Sequence, residues 1–302
     1  MISHDTPCRV KIFCRSFDLR LYRMSSALYA SMGIPVVRLT DQKADGYFYT
    51  MLADTSCDVA VNVDEDAFVV SPERVMRLVR FVVDNGYANA GCPDGGGACP
   101  RSGNPIVTNP FFNVFNLKLI REKFSVEAVR AYRYELHRPQ LEAAFPVERL
   151  QTRYDFSRTD YEPYYPFMLW LAGNFKTLYL PSHQHSDGIT TILCDVDDVP
   201  ICLHTWFARF YSTPTWIVNL FQKGMGTQRA RINDVIHEAY TQRAMSLPVF
   251  GWTDRLQFVA DRLVRWLIKI PQRIMGWPRK WRRWYLRHRQ AAALSDGQGG
   301  QA

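Results

Sequence analysis

Runs of apolar residues alternate with amphipathic stretches along the first two thirds of the chain, and that alternation predicts strands interleaved with helices. Arg9–Phe13 reads as a first strand. Asp18 caps a helix running to Met32, Gly33 ends it, and a second strand follows at Ile34–Leu39. A further helix at 46–54 leads into the apolar run Cys57-Asp58-Val59-Ala60-Val61. Beyond the acidic turn 62–66, Ser71 as N-cap, Pro72 at N1 and Glu73 near the positive end open a helix. Its Val75, Leu78, Val79 and Val82 recur at helical spacing, and Asn85-Gly86 stops it. A helical region is expected over about 117–150, a helix started by Pro163 through Phe167, Trp170 and Leu171, a strand at Lys176–Leu180 that closes the core, and a short apolar run, Ile201–His204, that leads to its edge. The segment between Pro100 and Pro110 reads as a polar, proline-broken loop. The pattern is that of an α/β protein with a mostly parallel, Rossmann-like sheet flanked by helices.

The chain has 302 residues, about half of them apolar, enough for one sizeable core and a smaller appendage. Its seven cysteines are scattered and form no C-x-x-C pair, so neither a disulfide framework nor a zinc ribbon is indicated, and a reducing cytoplasm is expected. The polar stretch Met1–Val10 lacks the apolar core of a signal peptide, and no run of about 18 apolar residues offers a membrane span.

The net charge of +8 is concentrated. Residues 262–289 hold ten Lys or Arg and no Asp or Glu, leaving 27 basic against 29 acidic residues elsewhere, and they hold four of the eight tryptophans. Basic residues with interfacial Trp and Tyr suit an anionic membrane surface. Leu263, Trp266, Leu267 and Ile270 form an apolar helical face that single-stranded nucleic acid would not need, so no nucleic-acid partner is expected; a helix packed on the rest of the protein is the plain alternative. Residues 1–212 are expected to form the catalytic domain, 213–290 a helical, basic, aromatic region that keeps the protein on the cytoplasmic face of the membrane, and 291–302 a disordered tail.

The stretch Asn62-Val63-Asp64-Glu65-Asp66 carries the strongest chemical signal. Two carboxylates two residues apart, at the carboxyl end of a buried strand, suit a hard cation such as Mn²⁺ or Mg²⁺ that keeps sites open for phosphate. A second D-x-D, Asp195-Val196-Asp197, lies in a turn between short apolar runs and reads as solvated. Three further features follow Asp64 and Asp66 in order: a glycine loop at Gly95-Gly96-Gly97, an acidic pair Asp160 and Glu162 ahead of a helix, and His204 after an apolar strand, with Arg209 just beyond. His183 and His185 read as part of a polar acceptor loop rather than a second metal site.

This order resembles the GT-A glycosyltransferases, which carry a DxD motif, a glycine-rich loop, an acidic xED-type position and a late metal-binding histidine. The resemblance spans roughly residues 8–211, and the xED position here reads Asp160-Tyr161-Glu162. It implies transfer of a sugar from a nucleotide-diphosphate donor to a glycan or lipid-linked acceptor, as in surface polysaccharide or glycolipid synthesis. Asp64, Asp66 and His204 would bind the metal. Arg15, Asp18, Asp64, Asp66, Gly96 and Arg209 would meet the donor, and Glu162, or else Asp160, would take the acceptor's proton. The rival enzyme class is a sugar nucleotidyltransferase, which should show a glycine-rich, lysine-bearing loop near the N-terminus that is absent from the sequence given; the non-enzymatic rival is a membrane-surface binding protein with a structural acidic motif.

Overall fold

The computed structural model describes residues 8–40, 46–98, 100–213, 225–265 and 267. It has two compact units, Met1–Val249 and Phe250–Ala302.

The expected α/β class holds in the first unit. Its main sheet has the order β2-β1-β3-β6-β5-β7, with β1 at Val10–Arg15, β2 at Val36–Leu39, β3 at Val59–Val63, β5 at Tyr87–Pro93, β6 at Thr108–Asn116 and β7 at Lys176–Tyr179. β1 pairs in parallel with β2 and β3, and β5 with β7; only β6 runs antiparallel to its neighbours. Side chains alternate across β3: Val59, Val61 and Val63 join Val75, Leu78, Val79 and Val82 of α3 (Pro72–Asp84) in one core, while Ala60 faces a second core on the other side. Each fully buried valine or leucine of α3 stabilises the layer by about 1.5–3 kcal/mol. The second core is aromatic: Phe48 of α2 (Gly46–Ala53) stacks on Phe167 of α7 (Tyr165–Asn174), with Phe115 edge-on to both.

Several elements differ from expectation. The helix from Asp18 is α1 at Leu19–Ala27, with a 3-10 turn at Ala30–Met32 and Gly33 at φ 64°. The long helical region resolves into α4 (Leu117–Arg121), α5 (Val126–Ala131) and α6 (Tyr134–Ala144), because Ser125 caps a new helix and Tyr132 leaves the helical region. α7 starts at Tyr165, with Pro166 rather than Pro163 in its first turn. Part of the expected loop between Pro100 and Pro110 is the start of β6, a fully buried strand.

A smaller antiparallel sheet, β4-β10-β9-β8, is built from β4 (Ala67–Val69), β8 (Ser182–Gln184), β9 (Thr191–Cys194) and β10 (Pro200–His204). The first unit extends past residue 212: α8 (Gln228–Gln242) packs within it through Ile232, Val235, Ile236 and Ala239, and its Tyr240 hydroxyl donates to the Met24 carbonyl at 2.7 Å. In the second unit residues 252–265 are helical, with Trp252, Leu256, Val259 and Leu263 exposed. Most of the basic segment 262–289 and all of 291–302 lie outside the described residues. No helix among the described residues is long and apolar enough to cross a membrane.

Candidate functional site

A cavity of about 490 Å³ opens beyond the carboxyl ends of β1 and β3. This is where open α/β sheets gather ligands. Arg15 ends β1 and Asp64 follows β3, while β6, running the other way, brings Asn109 and Pro110 to the same edge. β4 begins one residue after Asp66 and pairs with β10 so that Ala67 lies opposite His204, which draws the late histidine to the acidic turn. His204 Nε2 is 3.4 Å from Asp66 Oδ1. Its ring stacks on Phe111 at 4.1 Å and leans on Trp206 at 4.3 Å. The Thr205 N–H donates to the Asp66 carbonyl at 2.9 Å, so the two strands stay in register up to the site.

The three acids of the turn have different surroundings. Glu65 is a structural anchor that the sequence reading passed over: its Oε2 accepts the Ser16 hydroxyl at 2.8 Å and the N–H groups of Phe17 and Asp18 at 2.9 and 2.7 Å. It thereby fixes the loop that follows β1. Asp64 Oδ2 accepts from Arg15 at 3.0 Å, and its Oδ1 is buried with no hydrogen-bond partner among the described residues. Burial pushes the Asp64 carboxyl up, against the opposing pull of Arg15. Burial also acts on Asp66, but His204 and Arg15 outweigh it and hold that carboxyl below its ordinary value.

On the opposite wall, Arg101 links Glu162 to the protein. It donates to Glu162 Oε1 at 2.8 Å and to the Tyr164 hydroxyl at 2.9 Å, and it lies 3.5 Å from the buried carboxylate of Asp94. Asp94 also accepts from Tyr164 at 2.9 Å, from Tyr165 at 2.7 Å and from Asn109. The Arg101 guanidinium lies 5.5 Å from the Tyr161 ring and 5.7 Å from that of Trp206, within cation–π range. Trp206 and Phe207 both hold left-handed backbone, at φ 58° and 63°. Such non-glycine positions cost about 1–3 kcal/mol each and persist only where the surroundings enforce them. Here Arg231 donates to the Thr205 and Trp206 carbonyls, and the Trp206 indole N–H donates to Thr191 Oγ1 at 2.9 Å.

The cavity therefore brings together Arg15, Asp64, Asp66, Glu162, His204 and Arg209. It excludes three expected residues from its lining. Asp18 Oδ1 caps α1 by accepting the N–H groups of Arg20 and Leu21, and its Oδ2 accepts from Ser212. Gly96, at φ 83°, turns toward its own chain: a Cβ there would collide with Leu150, and its carbonyl accepts from Gln151 and Thr152. Asp160 is exposed to solvent. Arg101 and Asp94 were missed because their importance is a long-range pairing; the Pro100-Arg101 that follows the glycine loop was the available signal.

The carboxylates fit a hard divalent cation, since Asp64 presents an unpartnered buried oxygen beside Asp66. Asp64, Asp66 and His204 do not by themselves form a closed three-ligand cage. Among the described residues, the group of three whose ligating atoms all lie within 4.8 Å is His183, Cys194 and Asp198, on the smaller sheet. A cation at the acidic turn would need oxygens from a bound phosphate or from water to fill its sphere, as Mg²⁺ commonly does.

No protein-family model matches the chain, and no curated protein does. Solved structures do, at low identity. A glycosyltransferase involved in the glycosylation of the major capsid of PBCV-1 is 15% identical, over 49% of this chain and 80% of its own, with a TM-score of 0.28. The mannosyltransferase PcManGT from Pyrobaculum calidifontis, in complex with GDP-Man and Mn²⁺, is 10% identical over 78% of this chain and 73% of its own, at 0.32. A cytidylyltransferase from Leptospira borgpetersenii is 12% identical over 81% of this chain and 100% of its own, at 0.34.

Proposed function

We propose that this chain is a GT-A type transferase that takes a sugar from a nucleotide-diphosphate donor with the help of Mn²⁺ or Mg²⁺. The observation that carries the reading is the meeting of Asp64, Asp66, His204 and Arg15 around a buried, unpartnered carboxylate oxygen at the carboxyl edge of the sheet. Asp64 and Asp66 would hold the cation, with His204 at its margin. Bound there, the cation supplies Lewis-acid stabilisation of the charge left on the departing nucleotide.

The protein's own groups do the rest. Arg15 keeps Asp64 oriented through their ion pair. Arg209, exposed at the rim, and Arg101 supply positive charge for phosphate oxygens. Glu162 lines the opposite wall and is better placed than Asp160 to receive a proton from an acceptor hydroxyl in an inverting transfer. Tyr161, exposed at the cavity, would meet a sugar through its ring. The acceptor is a glycan or a lipid-linked sugar. The basic segment 262–289 holds the enzyme on the cytoplasmic face of an anionic membrane, a reading supported by its composition and by the exposed apolar residues of 252–265 that precede it.

Incubation with UDP-, GDP-, CDP- and dTDP-sugars and Mn²⁺ tests the reading. Release of the nucleoside diphosphate from one donor class, stopped by EDTA and by Asp66→Asn, is the expected result. Synthesis of a nucleotide sugar from a nucleoside triphosphate and a sugar phosphate would instead make it a nucleotidyltransferase, and no turnover of any donor would favour a binding protein.

A further inference from the structure

Away from the cavity, at one end of the smaller sheet, an imidazole, a thiol and a carboxylate converge from three separate elements. His183 stands on β8, Cys194 ends β9, and Asp198 lies in the turn between β9 and β10. Strand register explains the first two. His183 is paired opposite Ile192, so Cys194, two residues further along β9, shares its face as the diagonal neighbour. Asp198 has left-handed backbone at φ 58°, and its carboxylate returns over the sheet to lie 2.7 Å from His183 Nε2. The turn is held from below by Asp195, which accepts the N–H groups of Asp197 and Val199 and pairs with Arg74 at 2.6 Å.

One candidate ligand atom from each of the three residues lies within 4.8 Å of the other two. Their burial is graded: Cys194 has no exposed surface, whereas the side chains of His183 and Asp198 are about half exposed. The sulfur is thus buried, with its two partners reaching the surface beside it. Thiolate, imidazole and carboxylate together suit a borderline-soft, four-coordinate ion that can take water as its fourth ligand; hard Mg²⁺ would have little use for the sulfur.

We propose that His183, Cys194 and Asp198 form a binding site for a thiophilic divalent cation of zinc chemistry, independent of the donor site. On binding, the Cys194 S–H bond breaks and its proton passes to solvent while the sulfur bonds the metal. The hydrogen bond between His183 Nε2 and Asp198 gives way: the proton of the neutral imidazole leaves Nε2 and is replaced through solvent by one on Nδ1, so that Nε2 binds the metal and Asp198 binds through a carboxylate oxygen. One proton is released per ion, and no oxidant or reductant is involved. The bound ion would staple β8 to the β9–β10 turn, at the end of β10 opposite His204.

Co²⁺ titration of the full-length protein tests this, because a thiolate-to-metal charge-transfer band reports a sulfur ligand and ignores carboxylate sites such as Asp66. One Co²⁺ per chain with that band, displaced by Zn²⁺, is expected. The band should disappear in Cys194→Ser, and affinity should fall in His183→Ala by more than the roughly 10–100-fold that loss of a mere outer-shell partner costs. No band in the wild type, or a band that survives Cys194→Ser, overturns the proposal. Should Cys194→Ser fail to fold by circular dichroism, undiminished Co²⁺ affinity in His183→Ala, whose side chain is half exposed, overturns it equally.

Discussion

Two Asp-x-Asp turns in this protein share a sequence pattern and differ in what their oxygens do. Asp195-Val196-Asp197 closes a hairpin: Asp195 accepts two backbone N–H groups and the Arg74 guanidinium, and Asp197 lies in solvent. Asp64-Glu65-Asp66 spends only its middle acid on the backbone and turns the outer two into a cavity, where one Asp64 oxygen has no partner among the described residues. A carboxylate satisfied by its own turn is architecture. One that is buried and left partly unsatisfied carries a cost of about 1–3 kcal/mol that a ligand can relieve.

Substitution can break this contrast. The largest effect is expected from Asp66→Asn, which should lower metal-dependent donor turnover on the order of 10²–10³-fold, as does loss of one strong electrostatic contact to a transition state. Its thermal midpoint should stay within a few degrees of wild type, and a collapse of stability instead would make the acidic turn architectural. Glu162→Gln should reduce kcat by about 10²-fold or more with little change in donor affinity, the signature of a lost base. Wild-type turnover in that variant would remove Glu162 from the chemistry.

Asp195→Ala should do the reverse of Asp66→Asn: a stability loss of about 1–3 kcal/mol in urea with donor turnover unchanged. Loss of turnover at full stability would erase the distinction between the two turns. The smallest effect concerns the Arg9–Asp58 pair below β1 and β3, which holds the Asp58 carboxyl down to about 2 from an ordinary 3.8. Since the folded value is the lower one, the pair's contribution is present above pH 3.8 and is lost as pH falls through about 2. Solvent screening of this exposed arginine keeps the contribution small. Asp58→Asn should therefore flatten the acid limb of the stability profile slightly and leave pH 7 turnover unchanged.

The elements carried by local pattern were legible in the sequence: the strands at β1, β2 and β3, α3 with Pro72 and Glu73 in its first turn and its four-residue apolar stripe, and the acidic turn at the carboxyl edge, although the Ser71 side chain makes no capping hydrogen bond. β6 was not. Asn109, Pro110, Asn113 and Asn116 make it look like a loop, yet the fold finds interior partners for the amides: Asn113 Nδ2 donates to Thr108 Oγ1 at 2.9 Å, although its Oδ1 is buried without a partner among the described residues, and Asn116 Oδ1 caps α4. Pro110 is tolerated because β6 pairs with β3 only from Phe112 onward. The Arg101–Glu162–Asp94 linkage was equally hidden, since its members are separated by a strand, three helices and a long loop. The resemblance implied donor contacts for Gly96 and Asp18; in the fold a Cβ at Gly96 would meet Leu150, and Asp18 caps α1.

The proposed function requires the acidic turn to bind a nucleoside diphosphate through a cation. Thermal unfolding of the full-length protein with UDP, GDP, CDP and dTDP, each with Mn²⁺ and with EDTA, tests it most directly. One nucleotide should raise the midpoint in Mn²⁺, and the rise should vanish in EDTA and in Asp66→Asn. A rise that survives chelation or the substitution, or no rise with any nucleotide, would contradict it.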